Sequence, residues 1–80
     1  MVSLEKIKAA FRVALDLPED FEITDESAFN DVPGWDSVGH MRLVLELETI
    51  VGGPLELEEI VDLDTVQKIR LLVSSKLDHP

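Results

Sequence analysis

GWDSVGHM, residues 34–41, running without a break into RLVLELE, residues 42–48, is the stretch whose reading decides the fold. Pro33 and Gly34 interrupt whatever precedes them, and the apolar spacing that follows is helical until Gly52, Gly53 and Pro54 terminate it. Asp36 stands where an N-cap belongs, its carboxylate within reach of the Gly39 N–H three residues on. Ser37 therefore opens an apolar helix over about residues 37–51. In that first turn the backbone N–H groups lack intrahelical partners and the macrodipole favours negative charge. A phosphate ester on the Ser37 hydroxyl would be stabilised there. On spacing alone two readings stand, a serine that carries phosphate and a capping segment with an incidental hydroxyl.

The same helix carries two apolar stripes. At about 100° per residue, Leu43, Leu47, Ile50 and Val51, with Val44 beside them, share the face that should meet the other helices. Val38, Met41 and Leu45 form a second strip within about a quarter turn of Ser37, bordered by Arg42, Glu48 and Thr49. Either the helix is buried on most sides, or this strip docks partner proteins beside the serine.

Working outward, a first helix starts at Ser3 and sets Leu4, Ile7, Phe11, Ala14 and Leu15 on one face. Pro18 ends it near Asp16, because the residue before a proline is biased away from helical geometry. From Pro18 to Asp36 neither the helix nor the strand period holds, yet Phe21, Ile23, Phe29, Val32 and Trp35 punctuate the segment as anchors packed across the helices. Trp35 reads as a core plug rather than a ligand platform. Beyond the glycines, Leu55, Leu57, Ile60, Val61 and Leu63 mark a compact segment with at most a turn or two of helix, Glu58 and Glu59 facing outward. The alternation Leu55-Glu56-Leu57-Glu58 resembles a strand that would have nothing to pair with. A last helix starts at Asp64 or Thr65, where Asp64 and Gln67 resemble a capping box. Val66, Ile69, Leu72, Val73 and Leu77 lie on its inner face, and it frays near Asp78. The expected fold is all-α, a small four-helix bundle of three longer helices and one short one, with residues 1–80 forming a single domain.

Composition excludes several function classes. Eighty residues can bury one small core, with roughly 3 to 5 kcal/mol in reserve and little room for an internal active site. Seventeen acidic against seven basic residues leave a net charge of −10, which repels nucleic acid and anionic membranes and steers the domain toward basic partner surfaces. With no cysteine, neither a disulfide framework nor a thiolate metal site can form. The N-terminal MVSLEKIKAAF lacks the apolar run of a signal peptide, and no segment approaches a membrane span. A soluble, cytoplasmic monomer is expected.

Catalytic and metal chemistry find little support. Asp36, Ser37 and His40 superficially supply a carboxylate, a hydroxyl and a base, but they spread around one helix end with no oxyanion donors reserved for a substrate. No catalytic residue is assigned, and His40 reads as a half-buried helix residue. The acidic residues from Asp16 to Asp31 lack the order and glycine turn of a calcium loop and read as a solvated face. His79 has no companion ligands and reads as tail, so no metal site is expected.

GWDSVGHM with RLVLELE resembles the prosthetic-group site of the acyl carrier and peptidyl carrier protein family, and the order of helix, long anchored loop, D-S-[LV] helix, short helix and final helix extends the likeness across essentially all 80 residues. The LxLEEIVDLDTV region, residues 55–66, aligns naturally with it. The resemblance implies that Ser37 is the attachment point of 4'-phosphopantetheine, transferred from coenzyme A by a separate phosphopantetheinyl transferase, with Asp36 helping to present the serine. It implies a carrier rather than an enzyme, holding acyl or aminoacyl groups as thioesters and ferrying them between loading and downstream biosynthetic enzymes. Leu47, Leu63 and Leu72 could line a cavity for cargo or equally fill a solid core. Members serving housekeeping fatty-acid synthesis usually have leucine after the serine and acidic residues along the exposed helix, where Val38, Gly39, His40 and Arg42 stand here. That departure favours a specialised polyketide, modified lipid or nonribosomal peptide pathway. Gly39 costs the helix about 1 kcal/mol relative to alanine, which reads either as tolerance near a frayed end or as close approach by the arm or a partner enzyme. The competing class is an unmodified acidic helical adaptor that binds a partner through Val38, Met41 and Leu45.

Overall fold

A computed structural model describes residues 2–78 and arranges them as four helices: α1 (Leu4–Leu15), α2 (Ser37–Val51), α3 (Leu57–Asp62) and α4 (Val66–Asp78). His79 lies outside the described residues. The three longer helices pack on one another, and the expected all-α bundle with one short helix is the one observed. Among the described residues the extended backbone pairs at a single isolated bridge, Ala28 with Thr65.

Local chemistry sets most of the boundaries. Ser3 caps α1 by accepting from the Lys6 N–H at 3.2 Å, and Asp16 closes the helix in the left-handed region (φ 55°), its N–H reaching back to the Arg12 carbonyl. Gly52 ends α2 in the same conformation (φ 79°) and donates to the Glu48 carbonyl at 2.8 Å. A Glu48 carboxylate oxygen then accepts from the Leu55 N–H at 2.9 Å, fixing the exit of the chain.

The start of α4 differs from expectation. Asp64 and Gln67 form no capping box; Thr65 Oγ1 accepts from the Lys68 N–H at 3.2 Å. The N–H groups of Val66 and Gln67 donate to the carbonyls of Ser27 and Asp25, each at 3.0 Å. The long loop thus supplies acceptors that a helix start cannot supply for itself. Arg70 secures the same junction, donating to both Asp25 carboxylate oxygens (3.0 and 3.3 Å) and to the Val2 carbonyl (2.9 Å).

Ile7, Phe11, Leu43, Leu47, Val66, Ile69 and Val73 fill the space between the three long helices and are wholly inaccessible. Removing each such side chain from water contributes roughly 1.5–3 kcal/mol. Ile23, Val32 and Trp35 from the loop are buried in the same cluster, with Phe21 and Phe29 packed against it, so the anchored-loop expectation holds. Trp35 is a core plug, its ring edge-on to Phe11 at 4.9 Å. One inner-face assignment is corrected. Leu77 is exposed on α4, where Ser74 is buried instead, and Leu57 and Val61 point to solvent on α3. A six-residue helix presents only one narrow face to the bundle, which Ile60 occupies, while Leu55 and Leu63 bury themselves at its two ends.

Candidate functional site

Ser37 is the first residue of α2 and is exposed. The Asp36 carboxylate caps the helix, Oδ1 accepting from the Gly39 N–H at 2.8 Å, and the Asp36 carbonyl takes the His40 N–H at 2.7 Å. Among the described residues the N–H groups of Ser37 and Val38 have no acceptor, leaving two free donors beside the hydroxyl. An exposed hydroxyl with adjacent free amides, at the positive end of a four-turn helix, fits a phosphodiester.

The serine is presented by a turn that requires glycine twice. Gly34 sits in the left-handed region (φ 82°) and is followed by an Asp36 N–H donating to its carbonyl at 2.9 Å. Gly39 is buried; a Cβ there would overlap the Gly34 carbonyl oxygen and lie 2.7 Å from Leu15 Cδ2. Both sequence readings of Gly39, fraying tolerance and approach by an arm or partner, give way to an internal one: α2 crosses the end of α1 and the preceding turn at a distance that admits only hydrogen.

His40 is half-buried, as expected, but has a defined task. Trp35 Nε1 donates to His40 Nδ1 at 2.9 Å. Because indole nitrogen is only a donor, Nδ1 must be bare and Nε2 must carry the proton, which is directed at the Ile60 carbonyl at 2.9 Å. Both imidazole nitrogens are thereby engaged away from Ser37, and one Asp36 oxygen is committed to the cap. Asp36, Ser37 and His40 therefore do not assemble as a nucleophilic triad. Sequence reading placed His40 correctly but missed both partners.

The second stripe of α2 is exposed. Val38, Met41 and Leu45 are between 52% and 63% accessible, which decides against a helix buried on most sides. Leu57 and Val61 of α3 are each 73% accessible. Glu59, expected to face outward, turns toward α4 and pairs with Lys76 at 2.9 Å. Its Oε1 also accepts from the Glu56 N–H at 2.8 Å; that bond first, and Lys76 next, hold its carboxyl below the usual glutamate range. The three leucines considered for cargo separate. Leu63 and Leu72 line a groove of about 390 Å³ between α3 and α4 that opens to solvent, with Glu58, Glu59, Asp62 and Lys68 around it, whereas Leu47 is sealed in the core.

Among the described residues no helix is long and apolar enough to cross a membrane. No family model and no curated protein matches the chain. The solution structure of the holo acyl carrier protein from Geobacter metallireducens does: it is 32% identical, the match covers 98% of this chain and 88% of that one, and the TM-score is 0.84. A likeness of that extent in both sequence and fold means that the chain belongs to the acyl carrier protein family.

Proposed function

We propose that Ser37 carries 4'-phosphopantetheine, installed from coenzyme A by a separate phosphopantetheinyl transferase. The observation that carries this reading is the exposed Ser37 hydroxyl on the first turn of α2, with the free N–H groups of Ser37 and Val38 beside it and Asp36 already serving as cap. The arm supplies a thiol that holds cargo as a thioester. Asp36 orients the turn, and the free N–H groups of Ser37 and Val38 would donate to the phosphate oxygens of the arm. The similar Geobacter protein is named as a holo form, which supports the assignment.

In this role the domain is a monomeric, cytoplasmic carrier that shuttles acyl or aminoacyl intermediates between loading and downstream enzymes. A net charge of −10 draws basic partner surfaces by steering, and Val38, Met41 and Leu45 offer a small apolar contact that a partner can release after each step. Of the four departures from the housekeeping pattern, Gly39 and His40 have internal reasons. Val38 and Arg42, both exposed, are the two that a partner meets, and on them rests the assignment to a specialised polyketide, modified lipid or nonribosomal peptide pathway.

Intact-mass spectrometry after incubation with coenzyme A and a broad-specificity transferase tests the reading. One phosphopantetheinyl group on the wild type and none on Ser37→Ala is the expected result. No addition to folded wild type, with a control carrier modified in parallel, overturns it in favour of an unmodified adaptor acting through Val38, Met41 and Leu45.

A further inference from the structure

The principal packed pairs are α1 with α2, α2 with α4 and α1 with α4, and α3 belongs to none of them. No residue within α3 is buried. It is held by Leu55 and Leu63 at its ends, the partly buried Ile60, the Glu59–Lys76 ion pair and the bond from His40 Nε2 to the Ile60 carbonyl. That carbonyl is one of the last four of α3, which helix geometry leaves without intrahelical donors, and among the described residues it otherwise receives only the Leu63 N–H at a long 3.3 Å.

The imidazole that reaches it is itself immobilised. The buried Trp35 donates to Nδ1 and its ring lies nearly parallel to the imidazole, 19° apart, while Phe29 meets the imidazole edge-on at 5.8 Å. Trp35 is in turn fixed edge-on against Phe11 of α1. A rigid chain therefore runs from the core through Trp35 and His40 to the end of α3, passing within one turn of Ser37.

We propose that His40 is a positioning residue that fixes α3 against the serine-bearing end of α2, and so sets the composite surface that an enzyme acting on Ser37 must grip. Leu57 and Val61, four residues apart on one face of α3, are then offered at a defined distance from Val38 and Met41. With α3 loose, the partner must order it on binding, and that cost falls on encounter rather than on chemistry. This rests on the carrier reading of Ser37.

The two halves of the bridge can be separated. His40→Asn sets an amide oxygen near the place of Nδ1 and keeps an acceptor for Trp35, but cannot reach Ile60; His40→Gln sets an amide N–H near the place of Nε2 and can reach the carbonyl. Phosphopantetheinylation kinetics, with the carrier as varied substrate, should show KM raised about fivefold in His40→Asn with kcat unchanged, the factor expected when one hydrogen bond no longer holds α3 in place. His40→Gln should rescue it. Amide exchange at Ile60 and Leu63 should follow the same order. Equal KM and equal exchange in the two variants overturn the proposal. Nitrogen-15 spectra of wild-type His40 test it without any variant: protonated Nε2 with bare Nδ1 supports it, and protonated Nδ1 overturns it. Wild type that accepts no phosphopantetheinyl group would sink the carrier reading instead, while exchange and tautomer still decide whether His40 holds α3.

Discussion

Gly39 faces the carbonyl oxygen of Gly34 so closely that a Cβ on it would overlap that atom, and Leu15 Cδ2 closes the other side at 2.7 Å. The Gly34 carbonyl cannot yield cheaply, since it is backbone in a left-handed turn, whereas the half-buried Leu15 side chain can rotate aside, so the cost rests on Gly34. Gly39→Ala should therefore destabilise the domain by about 1–3 kcal/mol, although helix propensity alone would raise stability by about 1 kcal/mol. Urea denaturation monitored by Trp35 fluorescence reads the sign directly. A midpoint equal to or above wild type would mean that the turn before Ser37 can open at little cost.

The carboxylate of Asp36 has a structural duty that can be separated from its charge. Its Oδ1 accepts from Gly39 at 2.8 Å, a bond that an asparagine oxygen can also accept. Asp36→Asn should unfold within about 0.5 kcal/mol of wild type, whereas Asp36→Ala should lose about 1 kcal/mol. If both lose the same amount, the negative charge at the start of α2, rather than the cap bond, is what stabilises that end.

How far these features can be read from sequence depends on how local they are. The Asp36 cap, the placement of Ser37, the stop at Gly52 and the start at Ser3 are each settled within four residues, so spacing suffices. The anchors Ile23, Val32 and Trp35 were legible because isolated apolar residues in a polar segment need burial. The features that spacing could not show all join distant positions. His40 meets Ile60 twenty residues away, Val66 and Gln67 take their acceptors from Ser27 and Asp25, and Glu59 turns inward because Lys76 is there. Gly39 was visible as an anomaly, but its cause lies in Leu15 and Gly34, brought together only by the crossing of α1 and α2. Leu77 was misjudged because apolarity alone does not say whether the end of a helix has a second neighbour to cover it, and for the same reason spacing left the exposure of Leu57 and Val61 open.

The tie between α3 and α4 should be acid-sensitive. Glu59 is held below the ordinary glutamate value of 4.5 by the Glu56 N–H and Lys76, so its ionised form is favoured in the folded state relative to the unfolded chain. Its contribution is therefore present above about pH 4.5 and is lost as the pH falls below that value through the lower folded one. Glu59→Gln should remove this part of the pH dependence, leaving a flatter stability profile on the acid side. Denaturation midpoints measured at several pH values for both proteins would show it; parallel profiles would contradict the assignment.

Arg70 joins three segments through one guanidinium, with Nε on the Val2 carbonyl and a terminal nitrogen on both oxygens of Asp25. Because Asp25 also gives its carbonyl to the Gln67 N–H, the side chain braces the loop residue that caps α4. A lysine keeps the charge but offers a single ammonium, which cannot satisfy two acceptors set apart by the fork of a guanidinium. Arg70→Lys and Arg70→Met should therefore both lose about 1–2 kcal/mol, and amide exchange should accelerate at Val66 and Gln67 in both. A lysine variant as stable as wild type, with those amides still protected, would show that positive charge alone holds the junction and that the forked geometry of Arg70 is incidental.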